Sequence, residues 1–262
     1  MTLLTRIRIA AVLAACAPLA VMTAAPATAQ ALSPAVGNAL KQAQKLAAAG
    51  NISAATAQVN TARAAASTPA ERRKVAEMSA YVNTRAGRYG AAAQELESVG
   101  APASQLAPLY YRAGNYDKAI ARGRKMGNQE GQTIVAQSYI RTGKYGEAAK
   151  VYESLIKSYG PKQQWLENLA GAQYKMGDKK AYLATTERLI RVDPSPARWK
   201  ALLLDLKGEN MPREAKLGLY QLMRQTGNIS RPEDYSEFAK LAIVSNQPGV
   251  ARNVLGEAQT AT

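Results

Sequence analysis

Four cations recur at one place in the chain. Arg85, Arg112, Arg141 and Lys175 each stand two residues before a glycine, and Lys207 stands one position earlier relative to Asn210. Spaced one per structural repeat, such a ladder can offer its charges to the carboxylates of an extended acidic peptide, each exposed contact being modest. The same positions also read as solvated helix ends, where the helix dipole favours a cation. Other chemistry is thinly supplied. The chain has no His, and its one Cys is Cys16. Imidazole acid–base catalysis and His ligation of a metal are therefore excluded, and thiol chemistry is confined to Cys16. Glu95 and Glu97 stand two apart, so on a helix they point about 200° apart and share no catalytic task. Glu71, followed by Arg72, Arg73 and Lys74, reads as the first turn of a helix. There is no phosphate loop, no metal-ligand spacing and no nucleophile placed with its base. The residues imply binding without catalysis, metal or cofactor.

The elements that carry the cations repeat. Residues Ala136 to Leu155, AQSYIRTGKYGEAAKVYESL, read as two short helices joined at Gly143. Ala136 and Tyr139 share one face before the glycine. Tyr145, Ala148, Tyr152 and Leu155 form the next apolar stripe. Glycine ends the first helix because the left-handed conformation costs it little. Seven such turns are expected, at Gly50, Gly87, Gly114, Gly143, Gly177, Asn210 and Asn246. Five positions past the turn stand Ala55, Ala92, Ala119, Ala148, Ala215 and Ala251, with Tyr182 the exception. Seven positions before it stand Ala43, Ala80, Ala107, Ala136, Ala170 and Ala239, with Leu203 the exception. Nine past it, Val59, Leu96, Tyr152, Leu219 and Leu255 are apolar. Small side chains in step let adjacent hairpins approach, and a hairpin of this kind cannot bury its apolar face alone. Because alanine buries little area, the core is expected to be shallow and spread along the chain.

The pattern small-x-x-Tyr-x-x-x-Gly-x-Tyr-x-x-Ala resembles the tetratricopeptide repeat. AQSYIRTGKYGEAAKVYESL, PLYYRAGNYDKAI and YVNTRAGRYGAAAQEL carry it most closely. Trp199 and Tyr235, each eleven residues before its turn, and Pro194 also fall where that repeat places an aromatic and a helix-ending proline. The resemblance covers residues 33 to 259. It implies an all-α, right-handed solenoid of about seven helix pairs. The first helices would line a concave groove, with the cation ladder near its edge. Tyr81, Tyr111, Tyr174, Gln44, Gln137 and Lys240 would be groove neighbours. The Lys/Asn set by which some relatives clamp a terminal carboxylate is absent. The end of the chain, from LYQLMRQTG to DYSEFAKLAIVSNQPGVARNVL, is similar to periplasmic repeat proteins associated with TonB-dependent uptake.

Several places depart from a regular repeat. The second and third intervals, 27 and 29 residues, fall short of the usual period of about 34, so clipped helices or tight joins are expected there. Pro108 lies inside a first helix and predicts an irregular bend between Gly100 and Leu109. Ser67-Thr68-Pro69 should stop a second helix. GNQEG, Gly127 to Gly131, reads as a turn between units. KGENMPRE, Lys207 to Glu214, reads as a long loop with Pro212 opening the next helix. In TGNISRPED, Ser230 is placed to cap a helix that starts near Pro232. Gln259 to Thr262 read as frayed.

Residues 1–29 have the form of a secretory signal peptide. Arg6 and Arg8 precede an apolar run from Ile9 to Met22, and Ala27-Thr28-Ala29 sets cleavage before Gln30. The run is too short for a transmembrane helix, which needs about 20 apolar residues. Leu13-Ala14-Ala15-Cys16 also resembles a lipobox, which would make Cys16 a lipidated N-terminus. The mature repeat domain would then be residues 30–262 in the periplasm. The net charge is +15, and losing Arg6 and Arg8 lowers it by two. For an exported protein this excludes nucleic acid as a partner and favours acidic peptide, anionic glycan or anionic lipid. Arg122, Arg124 and Lys125 form a second basic group, either facing lipid or simply solvated. The expectation is a scaffold for a segment of a cell-envelope protein, in envelope assembly or TonB-linked uptake. A basic binder of anionic glycan or lipid is the alternative, and a cell-wall hydrolase accessory is the remotest reading.

Overall fold

The computed structural model describes residues 32–229 and 231–260; within them the chain is fourteen α-helices with no strand. The helices pair as seven hairpins. These are α1 (Pro34–Ala48) with α2 (Ile52–Ala65), α3 (Pro69–Arg85) with α4 (Tyr89–Ser98), and α5 (Ala103–Arg112) with α6 (Tyr116–Met126). They continue with α7 (Gln129–Arg141) and α8 (Tyr145–Tyr159), α9 (Gln163–Lys175) and α10 (Lys179–Val192), α11 (Pro196–Lys207) and α12 (Arg213–Gln225), and α13 (Pro232–Val244) and α14 (Pro248–Thr260). Each helix packs on its neighbours in sequence, and α1 also packs on α3 and α5 on α7. Hairpins thus stack one on the next in chain order, directly through their first helices in those two places, which makes the chain an α-solenoid.

The turns explain why the hairpins form. At Gly143 the backbone is left-handed, with φ 72°. That lets the Gly143 N–H donate to Ile140 O at 3.1 Å and the Lys144 N–H to Tyr139 O at 2.9 Å, so two carbonyls at the end of α7 are satisfied. Asn246 takes the same conformation at the seventh turn, with φ 59°. The alanine column before the turn is buried at every position from Ala43 to Ala239, Leu203 included. The column after it is buried at Ala55, Ala92, Ala119, Ala148 and Ala251.

The sixth hairpin departs from that register. α11 ends at Lys207, capped by Gly208 in right-handed geometry, and α12 begins only at Arg213. Asn210 is therefore not the turn residue but part of a five-residue loop. The added loop length rotates α12, so Ala215 faces solvent and Leu217, Tyr220 and Met223 fill the core. Leu255 in the last hairpin is also exposed.

The shortened units have clipped helices, ten residues each in α4 and α5 and eleven in α6. Pro108 lies within α5, and the helix runs on through it. The carbonyl it leaves without a donor belongs to Ser104 in the first turn, where the chain end can give. The irregular stretch is thus only Gly100 to Pro102. Gly127 to Gly131 is likewise not one turn. Gly127 ends α6 with φ 63° and Asn128 caps α7, accepting from the Gly131 N–H at 2.9 Å, so Gln129 to Gly131 are helical. At α13 the N-cap is Arg231, not Ser230, which lies outside the described residues. Gln259 and Thr260 belong to α14, so the helix runs further than the expected fraying allows. The leader at 1–29, with Cys16 and the cleavage point before Gln30, lies outside the described residues, as do 261–262.

Burial is distributed in four clusters along the chain. They run from Val36 to Val82, from Ala80 to Ile134, from Ile120 to Leu189 and from Leu203 to Val254. The first three overlap in sequence and the fourth does not. Polar groups tie α11 and the loop after it back to α9 and α10. Arg198 bonds Asp193 at 2.7 Å and also Glu167, the Tyr182 hydroxyl donates to Asp205 at 2.6 Å, and Lys179 pairs with Glu209. At the other end Glu71 fastens the first hairpin. Its carboxylate accepts from the Ser33, Ser67 and Thr68 amides at 2.9, 3.0 and 3.1 Å while Thr68 caps α3. Hydrogen bonding from Ser33, then from Thr68 and Ser67, holds the Glu71 carboxyl well below the usual range.

Candidate partner-binding edge

The helix ends at the intra-hairpin turns bring cations and phenols into a row. Arg112 is the last residue of α5 and Tyr89 the first of α4. Stacking one hairpin on the next sets the Arg112 guanidinium over the Tyr89 ring, 5.6 Å from its centroid. In the next unit Arg141 donates to the Tyr111 hydroxyl at 3.4 Å, and Tyr111 meets Tyr116 edge-on at 5.8 Å. The Tyr111 hydrogen bond, with Tyr116 nearby, raises the Arg141 guanidinium above its ordinary value. Further along α9, Tyr174 is two-thirds exposed and meets Tyr182 edge-on at 5.7 Å, with exposed Lys175 and Met176 beside it. Gln137 lies one turn before Arg141 on the same face of α7 and is half-buried.

The expected site residues do not all behave alike. Arg112, Arg141 and Tyr111 are brought together. Arg85, Lys175 and Lys240 are exposed and make no side-chain hydrogen bond or ion pair among the described residues. Lys207 is different. It pairs with buried Asp234, which also accepts from Arg231 at 3.4 Å. Its ammonium ties α11 to α13 and does not stand free on an edge. The second basic group is also spoken for. Arg122 pairs with Glu97 at 2.5 Å and Arg124 donates to the Tyr139 hydroxyl at 2.6 Å, which leaves exposed Lys125 as the member with no such bond among the described residues.

Glu97 gathers another polar cluster. The Tyr110 hydroxyl donates to it at 2.5 Å, and Lys118 lies 3.4 Å from it and 4.8 Å above the Tyr110 ring. The Tyr110 bond pulls the Glu97 carboxyl down, and burial pushes the Tyr110 phenol up. Every polar group there already has a partner, so the cluster clips α4 to α5 and α6 and offers no free acid or base. Among the described residues no group of three or more His, Cys, Asp or Glu is placed to hold a metal, and no helix is long and apolar enough to cross a membrane.

Sequence reading did not anticipate the tyrosines that open α4 and α6 as partners of cations one unit later. The signal was present, since Tyr89, Tyr116 and Tyr145 share one column. What was missing was the offset between units. Trp165 was also missed. It is buried in the central cluster, with Lys162 4.6 Å above its ring.

These hairpins define the class, a solenoid of repeated helix pairs with Gly-ended turns and small residues at the crossings. A family model, the tetratricopeptide repeat, matches residues 134–160. A tetratricopeptide repeat protein from Parabacteroides merdae superposes with a TM-score of 0.51 at 13% identity, over 87% of this chain and 94% of that one. The C-terminal part of a repeat-containing protein of the same kind from Cytophaga hutchinsonii aligns with a TM-score of 0.49 at 15% identity, over 79% and 83%. No curated protein matches the sequence. The chain thus carries a tetratricopeptide repeat at residues 134–160 and has the fold of a tetratricopeptide repeat solenoid.

Proposed function

We propose that the chain is a non-enzymatic scaffold that holds a segment of a cell-envelope protein against the edge formed by Tyr89, Arg112, Tyr111, Tyr116 and Arg141. Tetratricopeptide repeats bind protein or peptide partners, and the fold suggests an interaction scaffold. The observation that carries the finer reading is the alternation of guanidinium and phenol across successive hairpins. Arginine forks bind carboxylates bidentately, and the half-buried rings of Tyr89, Tyr111 and Tyr116 add flat apolar area at low entropic cost. An extended or helical segment bearing acidic and aromatic side chains fits that surface. The signal-peptide form of residues 1–29 supports a periplasmic setting, with cleavage before Gln30 or lipidation at Cys16, and with envelope assembly or TonB-linked uptake as the candidate processes. N-terminal sequencing of the exported chain tests the leader.

The binding test is charge reversal. Arg112→Glu, Arg141→Glu and Lys175→Glu together should lower recovery of the crosslinked envelope partner in cells, at unchanged protein level. Unchanged recovery removes this edge from the reading. A second reading, a surface for anionic glycan or lipid, draws on the net charge of +15 and the free cations Arg85, Lys175 and Lys240. It requires binding that collapses in moderate salt, where exposed charges are screened beyond ~10 Å. Salt-insensitive binding eliminates it.

A further inference from the structure

A cavity of about 820 Å³ opens where α2 ends, α3 begins and α4 ends. It is separate from the turn edge, none of whose residues line it. Three arginines stand on its wall, Arg63, Arg72 and Arg73, with Glu95 the one acid among its lining residues. Arg63 is neutralised by Glu95 at 2.7 Å and also donates to Ser79 at 3.2 Å. Arg72 and Arg73 are not neutralised. Arg72 donates to the Ser67 carbonyl at 2.8 Å, and Arg73 to the Val99 carbonyl at 3.0 Å. Neither has an acidic partner among the described residues. Glu71 lies beside them in sequence, but its carboxylate is spent on the Ser33, Ser67 and Thr68 amides and does not line the cavity. Apart from the charged residues and Ser98 the lining is apolar, with Pro69 and the buried Val75 and Ala76 among it.

We propose that this cavity binds a small amphipathic anion, with a phosphate or carboxylate head on the Arg72 and Arg73 forks and a short apolar stem on the Pro69–Val75–Ala76 wall. A guanidinium has five donors, and one bond to a carbonyl leaves the rest of the fork for an oxyanion. Those carbonyl bonds also hold the forks in place before the ligand arrives, which lowers the ordering cost of binding. The volume lies in the range of small-molecule sites, about 300–1,000 Å³. The apolar wall gives the stem a reason to enter. Two uncompensated charges in the same lining select an anion over a neutral or cationic amphiphile.

The test is calorimetric titration of the whole chain with octyl phosphate, octanoate and inorganic phosphate. Octyl phosphate and octanoate should bind saturably and inorganic phosphate far more weakly, since each methylene reaching the wall multiplies affinity about fourfold. R72Q/R73Q should weaken octyl phosphate about tenfold, as loss of two exposed charge pairs implies. Ala70→Phe keeps every charge but fills the lined space, and should abolish binding. E95Q frees Arg63 and should tighten it. A control, K157Q/K180Q, removes as much charge from exposed sites on other helices and should change nothing. The proposal is overturned if no amphiphile saturates, if Ala70→Phe binds as well as the parent, or if the control loses as much affinity as R72Q/R73Q. Unaltered melting of each variant separates lost binding from lost folding. Sedimentation with anionic phospholipid vesicles identifies the source of the head group. Co-sedimentation that requires Arg72 and Arg73 assigns it to a lipid, and octyl phosphate binding without vesicle binding assigns it to a free amphiphile. Vesicle binding that survives R72Q/R73Q, without octyl phosphate binding, also overturns the proposal.

Discussion

Replacing one glycine by alanine should destabilise this protein at Gly131 and stabilise it at Gly171. At Gly131 the helices α6 and α7 cross backbone to backbone. An added Cβ would lie 2.3 Å from the Gly123 carbonyl oxygen and 2.7 Å from the Met126 Cβ. Ordinary contact begins near 3.4 Å, so the helices must part by about 1 Å, and overpacking of this kind costs roughly 1–3 kcal/mol. The better helix propensity of alanine returns at most about 1 kcal/mol. The nearest obstacle is backbone, which cannot rotate away, so Gly131→Ala should lose about 2 kcal/mol net. Gly171 is in the interior of α9, with nothing within 4 Å of its added Cβ. There only the propensity term remains, and Gly171→Ala should gain up to about 1 kcal/mol. Gly123→Ala meets Gly131 O at 2.8 Å and Val135 Cγ2 at 3.0 Å, and should fall between the two. Urea melts followed by circular dichroism, with hydrogen exchange of the α6 and α7 amides, read the effect. Because Gly123 and Gly131 share one crossing, the double variant should lose less than the two singles added. If Gly131→Ala and Gly171→Ala move stability in the same direction, the close approach is not what holds those helices together.

Three further outcomes follow from the polar ties. The Glu71 carboxyl titrates below its ordinary 4.5, so its stabilisation is full above that value and shrinks as the pH falls through it toward the folded value. The melting temperature of Glu71→Gln should therefore lie below the parent by a constant margin at neutral pH, and the margin should narrow in acid; a margin independent of pH contradicts the tie. Lys207→Met leaves buried Asp234 with Arg231 alone, and should cost about 1–3 kcal/mol, short of a fully buried broken pair because Arg231 remains. Chemical denaturation checks this, and partner recovery by the folded variant should be unchanged. Arg198→Gln cuts the bonds to Asp193 and Glu167 and should speed cleavage after Glu209 by a Glu-specific protease, since the Gly208–Pro212 loop adjoins that joint; an unchanged rate places the stability of the joint elsewhere.

Most of the fold was legible because its signals are local. A glycine after a helix, an alanine seven residues earlier and a tyrosine two later each report one helix and its own face. The stretch from Ala136 to Leu155 carried all three, and Ala136, Tyr139, Ala148, Tyr152 and Leu155 are buried where the pattern puts them. The sixth hairpin was misread because Asn210 matched the column by position while the loop around it is longer. Column matching cannot see loop length when the turn residue is not glycine. What lay beyond reach were pairings across units. Glu71 reaches Ser33 across 38 residues, and Arg63 reaches Glu95 across 32. Gly123 and Gly131 looked like ordinary glycines in the sequence. Only the crossing of α6 and α7 shows that neither has room for a side chain.

The candidate edge lies between these two cases. Its cations and its tyrosines each form a visible column, but no column states which cation meets which ring. The short units supply the rule. Where α4, α5 and α6 are clipped, the cation ending one first helix falls over the tyrosine opening the preceding second helix, as Arg112 does over Tyr89. Arg141 meets the preceding unit differently, donating to the hydroxyl of Tyr111 in α5 with Tyr116 nearby. The two longer intervals flanking them give no such pair. Ile52 occupies the place a ring would need beneath Arg85, and no cation–π contact joins Lys175 to Tyr145 among the described residues. The shortened repeats and the paired cations and rings thus coincide at the third and fourth hairpins. Restoring a full-length interval there should keep the solenoid, since each hairpin contacts mainly its neighbours, while separating Arg112 from Tyr89. Such a chain, folded but without the pair, would tell whether the edge or the solenoid alone is what a partner reads.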